Sequence, residues 1–206
     1  MFQEFRTIFQ HFPVITLNDI RIAFPNFDSK NLINWQKKKY LIKLRNGYYQ
    51  LTEFNSGEKN LFLIANHLYT PSYLSLETAL NFHGIIPEAV YTIQSVTTLK
   101  TMSFHNSIGN FQYRSIKTSL FFGYQLLQSD SRKSFRMASP EKAILDFLYF
   151  RHDIKDAVQF SALRWNAERL KALNFSILMN YVTFYNSPTL LNKIKWIKPY
   201  IDAQYS

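Results

Sequence analysis

The chain has 206 residues, a formal charge of +10 from 24 Lys+Arg against 14 Asp+Glu, no Cys, and 47% apolar content of which the aromatics are a large share. So much apolar and aromatic side chain excludes wholesale disorder, and the lack of Cys excludes disulfides, thiolate nucleophiles and Cys-based zinc sites. No stretch approaches the roughly 18 uninterrupted apolar residues of a membrane-spanning helix, and the opening MFQEFRTIFQHF carries charge where a secretory leader needs an apolar run, so a cytoplasmic protein without a membrane partner is expected.

Taken from the start, Phe2, Phe5, Phe9 and Phe12 recur at helical spacing, which predicts a helix over 2–11 stopped by Pro13. Thr16 stands as an N-cap before a second short helix with Leu17, Ile20 and Phe24 on one face and Pro25 at its end. Asp28 or Ser29 caps a third helix over about 29–39, with Leu32, Ile33 and Trp35 as its buried side and Lys30, Asn31, Asn34, Lys37 and Lys38 outside. YLIKLR and YYQL then flank Asn46-Gly47, a pair suited to the type I′ hairpin turn. Three short helices followed by a hairpin predict a winged helix-turn-helix over residues 1–52.

The charge is concentrated there. Residues 1–52 hold 8 basic and 3 acidic groups, with no acid between Asp28 and Glu53, whereas residues 53–134 are nearly balanced at 6 and 5. A basic stretch on a fold of this kind points to a polyanion, with the third helix in the major groove of double-stranded operator DNA and the hairpin along the backbone. The expected contact set is Ser29, Lys30, Asn31, Asn34, Lys37, Lys38, Lys43, Arg45 and Asn46. Asparagines suit base edges and lysines suit phosphates, while Lys43 and Arg45, two apart on one strand, are expected on one face of the wing. The competing use of the same surface is contact with an acidic protein partner or RNA, or plain solvation of the charges.

Residues 53–206 are expected to form a mixed α/β domain. EKNLFLIANHL over 58–68 reads as a bridging helix with Leu61, Ile64, Ala65 and Leu68 in a stripe. Ser75 is expected to cap a helix that Gly84 ends, and beyond Pro87 β-rich segments separated by turn signals predict a small, mainly antiparallel sheet. Phe121, Phe122 and Tyr124 fall in that part and are expected in its core rather than stacked on bases. Ser139, Pro140 and Glu141 have the sequence of a helix start, with Lys142 expected to face water. Leu178, Tyr181, Val182 and Tyr185 form one helical stripe in the tail and Leu190, Ile194, Ile197 and Ile201 another, with Pro199 expected to end or kink the last helix. Arg136, Lys142, Arg151, Lys155, Arg164, Arg169 and Lys171 make this last third basic as well.

The strings WQKKKYLIKLRNGYYQL, SYLSLETALNFHG and ASPEKAILDFLY together resemble recurrent segments of the AbiEi-type antitoxins, over about residues 5–195. Gly47, Tyr48 and Tyr49 occupy the Gly-x-Tyr positions of that family's wing, while Lys39 departs from it, standing where the family favours glycine. If Lys39 ends its helix in the left-handed region, lysine costs about 1 kcal/mol there. The resemblance implies an α+β protein with an N-terminal winged helix that represses its own operon. It also implies a C-terminal domain that counteracts a nucleotidyltransferase-like toxin in a phage-defence type of toxin-antitoxin pair; separately, the sequence has no heptad seam, so a monomer or weak dimer is expected. A stand-alone regulator is the alternative.

Residue chemistry gives no enzyme. His11, His67, His83, His105 and His152 lack metal-ligand spacing, no two acids are two residues apart, and the five glycines make no phosphate loop, so no metal, cofactor or catalytic residue is expected. His83, ahead of Gly84, reads as a helix-end residue.

Overall fold

The structure is a computed structural model that describes residues 1–54, 57–129 and 133–205. It is a mixed α+β fold. The first part runs α1 (Phe2–Phe9), β1 (Ile15–Thr16), α2 (Leu17–Ala23), α3 (Lys30–Lys37), β2 (Leu41–Arg45) and β3 (Tyr48–Leu51). The three strands pair antiparallel in the order β1-β3-β2. Thr16 does cap α2, within a full capping box: its hydroxyl accepts from Asp19 N at 3.1 Å and the Asp19 carboxylate accepts from Thr16 N at 2.8 Å. Phe5, Phe9, Ile15, Ile20, Leu32, Trp35, Leu41, Tyr49 and Leu51 close over one another as a separate small core, with the Phe5 and Trp35 rings 4.8 Å apart.

Two local expectations change in this part. Ile33 is not on the buried side of α3 but 57% exposed, because the core-facing arc is set by Leu32 and Trp35, and a step of 100° per residue carries Ile33 round to the solvent. The hairpin turn is not type I′ either, since only Gly47 (φ +77°) has a positive φ and Asn46 does not. The strands instead shift register between Lys43 and Arg45, which leaves Leu44 as an extra residue. That bulge frees Leu44 to bury itself in the larger core of the molecule.

The rest is built on a six-stranded sheet of order β6-β7-β5-β4-β9-β8, from β4 (Ser72–Leu74), β5 (Thr92–Thr97), β6 (Met102–Asn106), β7 (Gly109–Ser115), β8 (Tyr124–Gln128) and β9 (Ser134–Ala138). The expected small, mainly antiparallel sheet is thus larger and more mixed, with β5 beside β7 and β4 beside β9 running parallel. Helices cover both faces. On one, α4 (Glu58–Leu68) takes the Tyr113 hydroxyl on its Ala65 carbonyl at 2.7 Å. On the other, α6 (Pro140–Phe150) takes the Tyr73 hydroxyl on Asp146 at 2.9 Å. The register Tyr73↔Val96↔Arg114 puts Tyr73 and Tyr113 on opposite faces of the sheet. So α4, expected as a bridge, packs as an integral layer of this sheet, with Phe62, Leu63, Ile64, Ala65 and Leu68 buried.

The short α5 (Leu76–Phe82) ends at His83, and α7 (Ala157–Ser161), α8 (Ala167–Lys171), α9 (Phe175–Tyr185), α10 (Pro188–Lys195) and α11 (Ile197–Ala203) close the α6 side. Leu178, Val182, Tyr185, Leu190, Ile194, Ile197 and Ile201 are buried along them, with Tyr181 half-buried. Pro199 neither ends nor kinks the last helix. It lies in the first turn of α11, where backbone N–H groups have no partner inside the helix, and the break from α10 falls at Trp196.

Candidate nucleic-acid interface

Ile33 and Asn34 lie three and four residues after Lys30 and four and three before Lys37 along α3, so the four share a face. All four are exposed, as is Lys38 at the helix end. Opposite that face, Leu32 and Trp35 anchor the helix in the small core. Ser29 is exposed but does not cap α3 through its side chain; Asp28 does so instead, its carboxylate accepting from Lys30 N at 2.9 Å. Asn31 is half-buried, its side-chain amide donating to the Met1 sulfur at 3.2 Å, so it stands less free than Asn34.

In the hairpin, Lys43 and Asn46 are exposed, but Arg45 is not free. Its guanidinium lies 3.5 Å from the centre of the Tyr48 ring and 5.3 Å from that of Phe104 on β6. The bulge that buries Leu44 removes the simple alternation that would have put Lys43 and Arg45 side by side, and Arg45 turns toward the six-stranded sheet. All nine expected contact residues are thus exposed or half-exposed on α3, its ends and the hairpin, but Arg45 is turned into the junction with β6.

Charge on this face is little opposed by its own acids. Asp28 accepts from a backbone N–H at the start of α3 and is the one acid there, and Glu53, the next acid in sequence, accepts from the Arg6 guanidinium at 2.7 Å. Sequence reading passed over Ile33 because it assigned that side chain to the core. The signal was available: a side chain 100° beyond Leu32 and 200° short of Trp35 falls outside a narrow apolar arc.

A second group of chemistry-bearing residues lies in the large core. Lys142, expected in water, is 0% exposed, and so is Asp146 one turn on. The Lys142 ammonium donates to Asp146 Oδ1 and to the Tyr185 hydroxyl, and Asp146 also accepts from Tyr185 (2.6 Å), Tyr73 (2.9 Å) and Ser75 (2.8 Å). Ser75 begins α5 as expected, but its hydroxyl bonds this carboxylate rather than the helix backbone. Burial lowers the Lys142 ammonium from its ordinary value, with Asp146 opposing the shift. Burial first, and then the Asp146 charge, push the Tyr73 and Tyr185 phenols well above theirs, so both stay protonated as donors. Ser139 caps α6 as expected, accepting from Lys142 N at 3.2 Å.

Lys142 is misread from sequence because a lysine with an aspartate at i+4 ordinarily marks a solvated helix face. Here every residue from Glu141 to Leu148 is buried, since the sheet lies on one side of α6 and α9 and α10 on the other. The enclosure leaves the pair a structural role.

His83 behaves as a helix-end residue: its ring Nε2 lies 2.8 Å from the Ala138 carbonyl, and burial lowers its pKa. Phe121 packs on Tyr73 and Tyr124, and Phe122 on Tyr181 and Phe184. Among the described residues no group of three or more His, Asp or Glu stands together to hold a metal ion, and no helix is long and apolar enough to cross a membrane. Compared with known proteins, the chain matches no family model and no curated protein sequence.

Proposed function

We propose that the chain is a DNA-binding antitoxin of the AbiEi type. In this reading residues 1–52 form a winged helix-turn-helix that binds double-stranded operator DNA and represses its own operon, and residues 53–206 counteract a nucleotidyltransferase-like toxin. The observation that carries the DNA-binding part is the exposed face of α3, on which Lys30, Asn34, Lys37 and Lys38 stand with Asp28 alone at the helix start and Glu53 paired with Arg6. The order helix, short strand, two helices and hairpin supports the winged-helix reading, with α3 as the element that enters the major groove. Asn34, the freer asparagine, is the base-edge reader, and Lys37, Lys38 and Lys43 contact phosphates. The antitoxin part rests on the three sequence strings that resemble the family.

Filter binding across a salt series tests the first part. Each phosphate contact contributes about −0.9 to the slope of log K against log salt, so Lys37→Ala with Lys38→Ala flattens it by about 2 and weakens all sequences alike. Asn34→Ala instead relaxes choice at one base pair, a loss of about 1–3 kcal/mol of discrimination. An unchanged slope in the double variant removes α3 from the interface. Co-expression with the product of a neighbouring nucleotidyltransferase-like gene, scored by growth, tests the second part, and no rescue of growth by the intact chain refutes it.

A further inference from the structure

Where α3 ends, the chain makes a choice that its stability does not favour. Lys39 N donates to the Gln36 carbonyl at 3.0 Å and Tyr40 N to the Trp35 carbonyl at 2.9 Å, the paired bonds of a Schellman motif, with Lys39 itself in the left-handed region at φ +58°. Glycine is the residue that takes this position without strain. The backbone is also held from outside, since the Thr52 hydroxyl donates to the Lys39 carbonyl at 2.7 Å. A strained residue fixed in place by its surroundings is a reason to look at what its side chain does.

The Lys39 side chain lines an open groove of about 390 Å³ that runs between the end of α3 and β2. Lys43 lines it too, with Leu41 and Ile42 as apolar lining and Gln36 and Thr52 as polar groups. No acidic residue lines it. Ser107, which lies outside the first 52 residues in the turn between β6 and β7, lines it as well. That turn is held against the hairpin by the Asn106 side-chain amide, which donates to the Leu44 carbonyl at 3.0 Å, and by Arg45 over Phe104.

We infer that this groove is a phosphate-binding site for the duplex backbone, shared between the end of α3, the hairpin and the β6–β7 turn, so that the interface extends beyond residue 52. Lys39 and Lys43 supply the charge, and Ser107 adds a hydroxyl to the lining. The inference rests on the DNA-binding reading and assigns it a further site with a contribution from the second part of the chain.

The test uses the full chain, a short random-sequence duplex and a salt series. Lys39→Gly raises the unfolding midpoint, because it relieves the left-handed strain, yet flattens the salt slope by about one and weakens binding roughly fivefold at low salt. Lys39→Arg keeps the slope. Ser107→Glu, which adds a carboxylate to the same lining, weakens binding at least as much while leaving the fold intact. Wild-type slopes in both Lys39→Gly and Ser107→Glu overturn the inference while leaving DNA binding by α3 in place. Failure of the unaltered chain to bind duplex in a salt-dependent way overturns the DNA-binding reading itself, and the groove with it. Tighter capture of single-stranded RNA than of duplex by the unaltered chain, lost in both groove variants, also overturns the assignment to DNA.

Discussion

The charged residues that decide stability and those left at the surface are separated by a single criterion, whether a charge has been given partners inside the molecule. Asp146 receives four donors and Lys142 two acceptors, all within the large core. Removing one ion of such a pair strands the other without water, which costs about 3–5 kcal/mol. Lys142→Met is therefore expected to lower the unfolding free energy by that amount in urea titration, whereas Lys38→Ala on the exposed end of α3 stays within about 0.5 kcal/mol of the parent. Equal losses in the two variants would show that Lys142 reaches water. His83 sets a pH dependence of the same origin. Burial lowers its folded pKa, with the Ala138 carbonyl and Glu141 opposing, while the unfolded chain titrates near its ordinary value of about 6.5. Below that pH the unfolded state binds more protons than the folded one, so stability is lost as pH falls through the folded pKa. His83→Gln is expected to flatten that decline in urea midpoints measured from neutral pH downward, and an unchanged decline would assign it to other groups. Residue chemistry of this kind was the least legible part of the sequence. Lys142 and Lys38 are both helical lysines beside polar neighbours, and only the packing of α9 and α10 over α6 tells them apart.

Elements were more legible, because their ends are written in local chemistry. Thr16, Ser139 and Gly84 mark boundaries that the structure keeps, each by a backbone or capping bond spanning few residues, whereas α1, expected to run to residue 11 before Pro13, ends at Phe9. What local chemistry does not encode is how elements crowd one another. Gly123 precedes β8 with φ +73°, and a Cβ built there would lie 3.0 Å from the Tyr181 ring and 3.1 Å from two atoms of the Lys142 stem. The glycine thus lets the start of β8 slide between α6 and α9, a need invisible in the string FFGYQ. Gly123→Ala combines left-handed strain with overpacking and is expected to cost about 2–4 kcal/mol by chemical denaturation. Thr16→Ala removes one half of a capping box at a half-buried helix start and costs about 1 kcal/mol. A smaller loss for Gly123→Ala than for Thr16→Ala would mean that α9 yields easily at Tyr181.

At the scale of the molecule, the boundary near residue 52 marks two hydrophobic clusters but not two independent bodies. Val14, Leu44 and Phe54 belong to the larger cluster although two of them lie in the first 52 residues. The Asn106 side chain bonds the Leu44 carbonyl, Arg45 covers Phe104, and Lys133 donates to the His11 carbonyl. A unit of about 50 residues buries too little surface to be more than marginal alone, so these ties supply part of its stability. Composition could divide the chain, since the charge density changes near 52, but it could not show the ties, which join residues 62 and 122 positions apart. The consequence is directional. Asn106→Ala combined with Arg45→Ala leaves every residue of the large core in place but cuts two ties, so amide hydrogen exchange should quicken across α1 to β3 and stay slow in α6. Exchange that quickens equally in α6 would mean the two parts unfold as one. Unchanged exchange in α1 to β3 would mean that the small aromatic core of Phe5, Phe9 and Trp35 holds the first part unaided.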